Sequence, residues 1–167
     1  MANKLYIAPE TAITWLNTGG TEILDLGGLE ANAGRVGEQR DLGAASRSSI
    51  YEWTLKIDGF DTAPVVGETV DLWFAQSDGT VADGAGVTFQ DGADSALGSV
   101  DILSNLQFAG SVVVRSTTAA DDIVARGVVA LTSRYVCPVV HNNTSDVLLS
   151  TADAHQVILT PIPGEIQ

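Results

Sequence analysis

The sequence predicts an all-β fold: a two-sheet antiparallel β-sandwich, jelly-roll-like, with eight to nine strands. Apolar residues recur with a period of two in most segments and never sustain the 3.6-residue period of an amphipathic helix. The candidate strands are closely spaced and separated by Gly-rich turns. A chain of 167 residues can bury one core without disulfides, which favours a single domain.

The N-terminal part predicts an arm followed by short strands. Residues 1–10 are expected to be an extended arm, in which Pro9 blocks regular pairing, and residues 11–167 are expected to be the sandwich domain. Strands are predicted at 11–15 and 22–26. Residues 34–42 are polar on both faces, which indicates an edge strand or a surface loop.

The strongest strand signals are residues 49–58 and 68–77, where apolar and polar side chains alternate. Because consecutive strands usually lie side by side, these two are expected to pair as an antiparallel hairpin. Trp53 lies on the apolar side of the first strand and is predicted to be in the core. Trp73 lies opposite the apolar side of the second strand, so it is predicted to point outward.

Residues 78–101 form the longest irregular stretch, with an extended loop rich in Asp and Gly that precedes a helical turn expected at 101–105. Carboxylate oxygens suit Ca²⁺, but the spacing of the aspartates matches no known calcium motif. We therefore predict no metal site and read the stretch as an acidic, solvated loop. If Ca²⁺ does bind, the candidate ligands are Asp78, Asp83, Asp91 and Asp94.

The C-terminal half predicts strands at 106–115, 123–132, 134–141 and 155–162. Gly110 within the first indicates a bulge or a close approach of another group to the backbone. Both faces of the second are apolar, which predicts a central strand. Pro138 in the third indicates an edge strand or a bulge, because proline has no N–H to donate.

Composition excludes several classes of function. The net charge is −13, and such an acidic protein repels phosphate backbones, so no nucleic-acid partner is expected. No apolar run is long enough for a membrane span or a signal peptide, and synthesis in the cytosol is expected. Cys137 is the only cysteine, so no intramolecular disulfide can form.

The candidate catalytic residues do not form a recognisable set, so neither an enzyme nor a cofactor is predicted. Cys137 and His141 lie four residues apart on one predicted strand, too far apart to meet directly. Asp153 and His155 suggest part of a triad, but no G-x-S-x-G elbow accompanies them. Residues 142–144 fit a glycosylation sequon and fit an Asn-Asn turn equally well.

Four segments carry a family resemblance: APVVGETVDLWFAQSDGT, FAGSVVV, RYVCPVVHNNTS and ILTPIPGEIQ. Together they resemble the head decoration, or cement, proteins of long-tailed bacteriophages. The resemblance implies a structural β-sandwich without an active site, which assembles as a homotrimer on the outer surface of the capsid. The implied partner is the major capsid protein, the implied location is the virion, and assembly takes place in the host bacterial cytoplasm.

Two functions follow as expectations. The first is a capsid decoration protein whose arm and basic segment dock on the capsid, since an extended arm can add to the edge of a neighbouring sheet. The second is a phage tail or fibre module that binds host-surface glycans, with Trp73 as a contact residue. The predicted partner-binding residues are Lys4, Leu5, Tyr6, Ile7, Arg35, Arg40, Arg47 and Trp73.

Overall fold

Two β-sheets pack face to face in the computed structural model of the chain and form a β-sandwich. The structure describes residues 5–6, 11–43, 47–77, 93–151, 153–162 and 165–166. Among these residues eight strands are three residues or longer, and the others are two-residue pairings. The predicted all-β, two-sheet fold is confirmed. No helix in the described ranges is long and apolar enough to cross a membrane.

The first sheet has five strands, and all neighbouring pairs are antiparallel except the last, which is parallel. In spatial order it contains β10 (Ile123–Ala130), β6 (Ile50–Ile57), β12 (Gln156–Pro161), β2 (Ile13–Leu16) and β3 (Glu22–Ile23).

The second sheet has six strands, five of which follow one another in space while the sixth also pairs with the central strand. In spatial order these are β8 (Ser95–Ala96), β4 (Gly34–Val36), β11 (Tyr135–Asn143), β7 (Thr69–Ser77) and β9 (Gln107–Val113), with β5 (Arg40–Asp41) also on β11. The first and last strands of the chain, β1 (Leu5–Tyr6) and β13 (Glu165–Ile166), pair with each other as a separate two-stranded sheet.

The two strongest predicted strands, β6 and β7, do not form a hairpin but lie in opposite sheets. The expectation that they pair is therefore wrong. The connection after β6 leaves its sheet instead of turning back, since Phe60 donates its backbone N–H to Ala119 and Asp61 donates to Val147. The apolar sides of both strands are buried in the same core, and period-two alternation is the same for a paired strand and for one on the opposite sheet.

The predicted central strand β10 is instead at the edge of its sheet, where its only ladder among the described residues is with β6. Its inward side, which includes Ile123 and Val129, is buried. Its outward side also carries apolar residues, but these are exposed. The prediction is wrong because a strand with apolar residues on both faces can still lie at the edge of a sheet, with one of the two faces exposed to solvent.

Strand β11 is central, with β7 on one side and β4 and β5 on the other, so of the two alternatives expected at Pro138 the edge strand is wrong. The register on β11 shifts by one residue between β4 and β5 beside Pro138, which agrees with the other alternative, a bulge. The Pro138 carbonyl accepts the Gly37 N–H at 2.8 Å. In an antiparallel pair the N–H and C=O of one residue point to the same side, so the missing N–H of Pro138 faces residues 37–39. There β4 has ended and β5 has not begun, so the ladder requires no donor.

Trp53 fills the space between the edge strands β9 and β10, as predicted for a core residue. A Cβ added to Gly110 on β9 would lie 2.5 Å from its ring, and one added to Gly127 on β10 would lie 2.7 Å from it. The register of β9 on β7 also shifts beside Gly110. Both predicted roles of Gly110, a bulge and a close approach, are therefore confirmed.

Candidate functional site

The outward side of the five-stranded sheet, here called the open face, carries more of the exposed large apolar residues of the described chain than its charged strands would suggest, four in all. It consists of alternate residues of β10, β6 and β12, which the register places in cross-strand rows, together with Ile162 directly after β12. Four of the ten exposed large apolar residues lie on it: Val128 (63% exposed), Val124 (47%), Ile162 (42%) and Ile50 (40%). The backbone N–H of Ile162 donates to Ile50, which places these two side by side.

Two charged side chains of the open face have no partner among the described residues. Glu52 on β6 lies beside Val128, and Arg126 on β10 lies beside Thr54. Lys56, on the same face, is paired with Asp58 at 2.7 Å and with Asp122 at 3.3 Å. Those carboxylates raise the pKa of Lys56 and keep it charged. The open face therefore combines exposed apolar residues with one unpaired charge of each sign.

The three arginines predicted to contact a partner all have contacts within the chain. Arg35 forms a bidentate pair with Asp94, and Arg40 pairs with Glu22 at 2.6 Å. The guanidinium of Arg47 donates to four backbone carbonyls, between 2.6 and 3.1 Å away, in residues 48 and 131–133. These contacts give each arginine a structural role, and their part in binding stays a prediction.

Five of the seven lysine and arginine side chains in the described residues have carboxylate or backbone carbonyl partners within the chain. These are the three predicted arginines, Lys56, and Arg134, which is paired with Asp41. The other two, Arg115 and Arg126, have none among the described residues. They are not among the predicted contact residues, because the prediction follows the cluster of three arginines within residues 35–47. A basic residue within an otherwise apolar strand, as Arg126 is in IVARGVVA, was the available signal.

The predicted arm and calcium candidates are described only in part. Leu5 and Tyr6 form β1, while Lys4 and Ile7 lie outside the described residues. Asp78, Asp83 and Asp91 also lie outside them, and Asp94 is paired with Arg35. Within the part of the chain that the structure describes, no group of three His, Cys, Asp or Glu side chains could hold a metal ion.

Trp73 is on the outward face of β7, as predicted, but it is half-buried. The short 3₁₀ helix Val100–Asn105, which confirms the predicted helical turn, covers this part of the second sheet with Leu103. The ring of Phe108 packs on Trp73 with centroids 4.7 Å apart, and Phe108 is the aromatic residue that remains exposed. Trp73 therefore anchors a small second core, and its role in partner binding stays a prediction.

A cleft of about 300 Å³ lies where the end of β9 and the start of β10 meet the loop that joins them. Hydrogen-bond donors and acceptors line it beside apolar side chains. Its polar lining comes from Ser111, Arg115, Ser116, Asp121 and Asp122.

The candidate nucleophile Cys137 is buried on the outward side of β11, and burial raises the pKa of its thiol to about 12. His141 is on the same strand and is also buried, and its Nε2 has no hydrogen-bond partner among the residues that the structure describes. The thiol is therefore held in its unreactive protonated form, in agreement with a structural cysteine.

Asp153 and His155 point to different partners and form no triad. Asp153 accepts the backbone N–H of Thr18 at 2.7 Å and its hydroxyl, and these bonds lower the pKa of the carboxyl. His155 accepts the Asp58 N–H at Nδ1 (3.1 Å), so its Nε2 carries the proton and donates to the Leu149 carbonyl at 2.8 Å. Both residues hold loops in place.

Asn142 and Thr144 of the sequon at residues 142–144 are buried, whereas Asn143 between them is exposed. The Asn142 side chain is fully inaccessible and donates to the carbonyls of Leu29, Glu30 and Asp146. It accepts from both the N–H and the hydroxyl of Thr144. Asn142 therefore acts as a buried turn residue and is not accessible for glycosylation in the folded protein.

Comparison with known proteins identifies no family. No family model matches the chain, and no curated protein matches it. Among solved structures, the C-terminal domain of EclA, described as a sugar-binding protein, is similar over 95% of this chain and 79% of its own, at 13% identity and a TM-score of 0.35.

Proposed function

We propose that this protein is a capsid decoration protein: a structural virion protein that binds the outer surface of a tailed-phage head and stabilises it. The observation that carries the proposal is the open face. The four exposed aliphatic residues of this face, which lie between charged side chains, provide apolar area for association, and exposed apolar patches on soluble proteins commonly mark interaction sites. The net charge of −13 also keeps the protein away from packaged DNA.

The roles of the polar side chains agree with a passive, structural function. Three of the candidate catalytic residues have structural roles: Cys137 is buried, and His155 and Asp153 bond to loop backbone. The same holds for Asn142 at the end of β11. These polar side chains therefore stabilise the fold, and a protein that stabilises a shell requires a stable fold.

Fractionation of virions tests the proposal. Heads and tails are separated, and this chain is located by mass spectrometry. We expect it in the heads only, with lower capsid stability to heat in particles that lack it. Detection in tails alone, or in neither fraction, would overturn the proposal.

The N-terminal arm is the proposed capsid contact, and it can be removed with little effect on the sandwich. Strand β1 pairs with β13 in a sheet of its own, outside both large sheets. A chain lacking residues 1–9 is expected to fold but to lose binding to heads stripped of the decoration protein. Unchanged binding would show that the arm is not the contact.

The cleft favours a second candidate function, the binding of host-surface glycans. Sugar hydroxyls both donate and accept hydrogen bonds, and the cleft offers a guanidinium, carboxylates and serine hydroxyls beside aliphatic side chains. On a glycan array, Arg115→Ala should abolish binding and Arg126→Ala, outside the cleft lining, should not. Equal signals from both variants and the parent would remove the cleft from consideration.

A further inference from the structure

We propose that the open face binds the open face of a second copy of this chain, about a twofold axis that exchanges Glu52 with Arg126. The inference rests on the proposed function, because it names the partner of the same assembly surface. The starting observation is that both side chains are exposed, carry opposite charges and have no partner among the described residues.

The register gives the geometry of this pair. Val128 lies opposite Glu52, and Arg126 lies opposite Thr54, so the four positions form a rectangle across β10 and β6. Its sides are about 5 Å between strands and about 7 Å along them. Glu52 and Arg126 occupy opposite corners.

A twofold axis lying in the interface that exchanges these two corners passes close to the other two. Each Glu52 then faces an Arg126 of the other copy, so the interface contains two reciprocal ion pairs. Because the axis passes near Val128, the same arrangement places the two Val128 side chains against each other. Val128 is the most exposed large apolar residue of the described chain, and burying it in this contact supplies the apolar centre of the interface.

Charge also selects this surface for a second copy. Two molecules of net charge −13 repel each other at most orientations. On the open face the basic side chains Arg126 and Lys56 stand beside the acidic ones, so the local charge is close to balanced. A homotrimer, which the family resemblance implies, uses head-to-tail contacts in which a residue does not meet its own counterpart. The reciprocal placement of Glu52 and Arg126 instead fits a pair.

Charge exchange tests the pairing. The full chain is measured by sedimentation velocity over a range of concentrations, as the parent and as Glu52→Arg, Arg126→Glu and the double variant. We expect a dimer for the parent, at least about tenfold weaker association for each single variant, and recovery in the double variant, which restores opposite charges across the axis. Arg115→Glu is the control, because it changes the net charge as Arg126→Glu does but lies in the cleft.

The outcomes separate this inference from the proposed function. Val128→Gln, a polar change at an exposed position that adds no like charge opposite Glu52, should give a monomer. A parent that is monomeric or trimeric, or a double variant no better than the singles, would overturn the twofold pair even if the chain is found on phage heads. A chain absent from heads that nevertheless dimerises with charge-swap recovery would support the pair and contradict the capsid role.

Discussion

Single buried polar residues connect loops to strands in this sandwich. His155 is the clearest case, since both ring nitrogens bond to backbone groups of other segments. The bond from the Asp58 N–H requires an unprotonated Nδ1, so the fold selects the neutral ring. Burial acts in the same direction: it lowers the pKa of His155, because the charged ring would lose its hydration.

The lowered pKa of His155 predicts a pH-dependent stability. Below its ordinary pKa of 6.5 the unfolded chain takes up a proton that the folded chain resists, so the free energy of unfolding should fall as the pH falls from 6.5 toward 5. The slope from this residue is at most about 1.4 kcal/mol per pH unit. Urea unfolding across this range should show it in the parent.

The control for this prediction is His155→Gln, which cannot titrate. Its stability should be lower at neutral pH and change less between pH 6.5 and 5. Asp41, whose pKa the Arg134 guanidinium lowers to about 2, acts only below its ordinary value of 3.8 and leaves this window unaffected. An equal slope in both proteins would assign the effect to other groups.

At the scale of elements, the contact between β9, β6 and β10 depends on two missing side chains. Gly110 and Gly127 leave room for the Trp53 indole, and neither glycine adopts a positive φ. The fold requires glycine at these two positions because a side chain would not fit there, and not because the backbone needs a conformation that only glycine adopts. Large inward residues at these positions would push the edge strands away from the core.

We therefore expect Gly110→Ala and Gly127→Ala each to destabilise the protein by about 1–3 kcal/mol, the usual cost of overpacking a core. Chemical denaturation monitored by tryptophan fluorescence measures this. Gly98→Ala is the matched control, because an added Cβ there meets nothing within 4 Å. Variants as stable as this control would mean that Trp53 can move away at little cost.

Which residues point inward could be predicted from the sequence, but which strands are neighbours could not. The alternation in residues 49–58 places Tyr51 and Trp53 correctly in the core. The same alternation is compatible with pairing β6 to β7 or with placing them in opposite sheets, since both bury the same side. The connection settles this through backbone bonds such as that from Phe60 to Ala119, which link segments distant in the sequence.

The candidate site escaped sequence reasoning for a similar reason. The partners of Arg35, Arg40 and Arg47 are brought near only by the fold, from as far away as residue 133. The sequence of β10 shows apolar residues on its outward side, and this pattern alone predicts burial. Its exposure depends on β10 being an edge strand, and that is a property of the whole sheet.

At the scale of the whole molecule, charge and apolar area oppose each other in the proposed pair. Each copy carries a net charge of −13, whereas the reciprocal Glu52–Arg126 contacts lie on a solvent-accessible face. Exposed ion pairs contribute about 0–1 kcal/mol each. The repulsion between two strongly acidic molecules extends over a Debye length, about 30 Å at 0.01 M salt and about 10 Å at 0.1 M.

Repulsion should therefore dominate the salt dependence of dimerisation. We predict that raising NaCl from about 0.01 M to about 0.1 M strengthens the association, because screening removes more long-range repulsion than ion-pair attraction. Sedimentation velocity at both concentrations measures the change, and Arg126→Glu, with a larger negative charge, should respond more steeply to salt than the parent. Association that weakens as salt is added would mean that the ion pairs supply most of the attraction, and the contact between the two Val128 side chains would lose its central role.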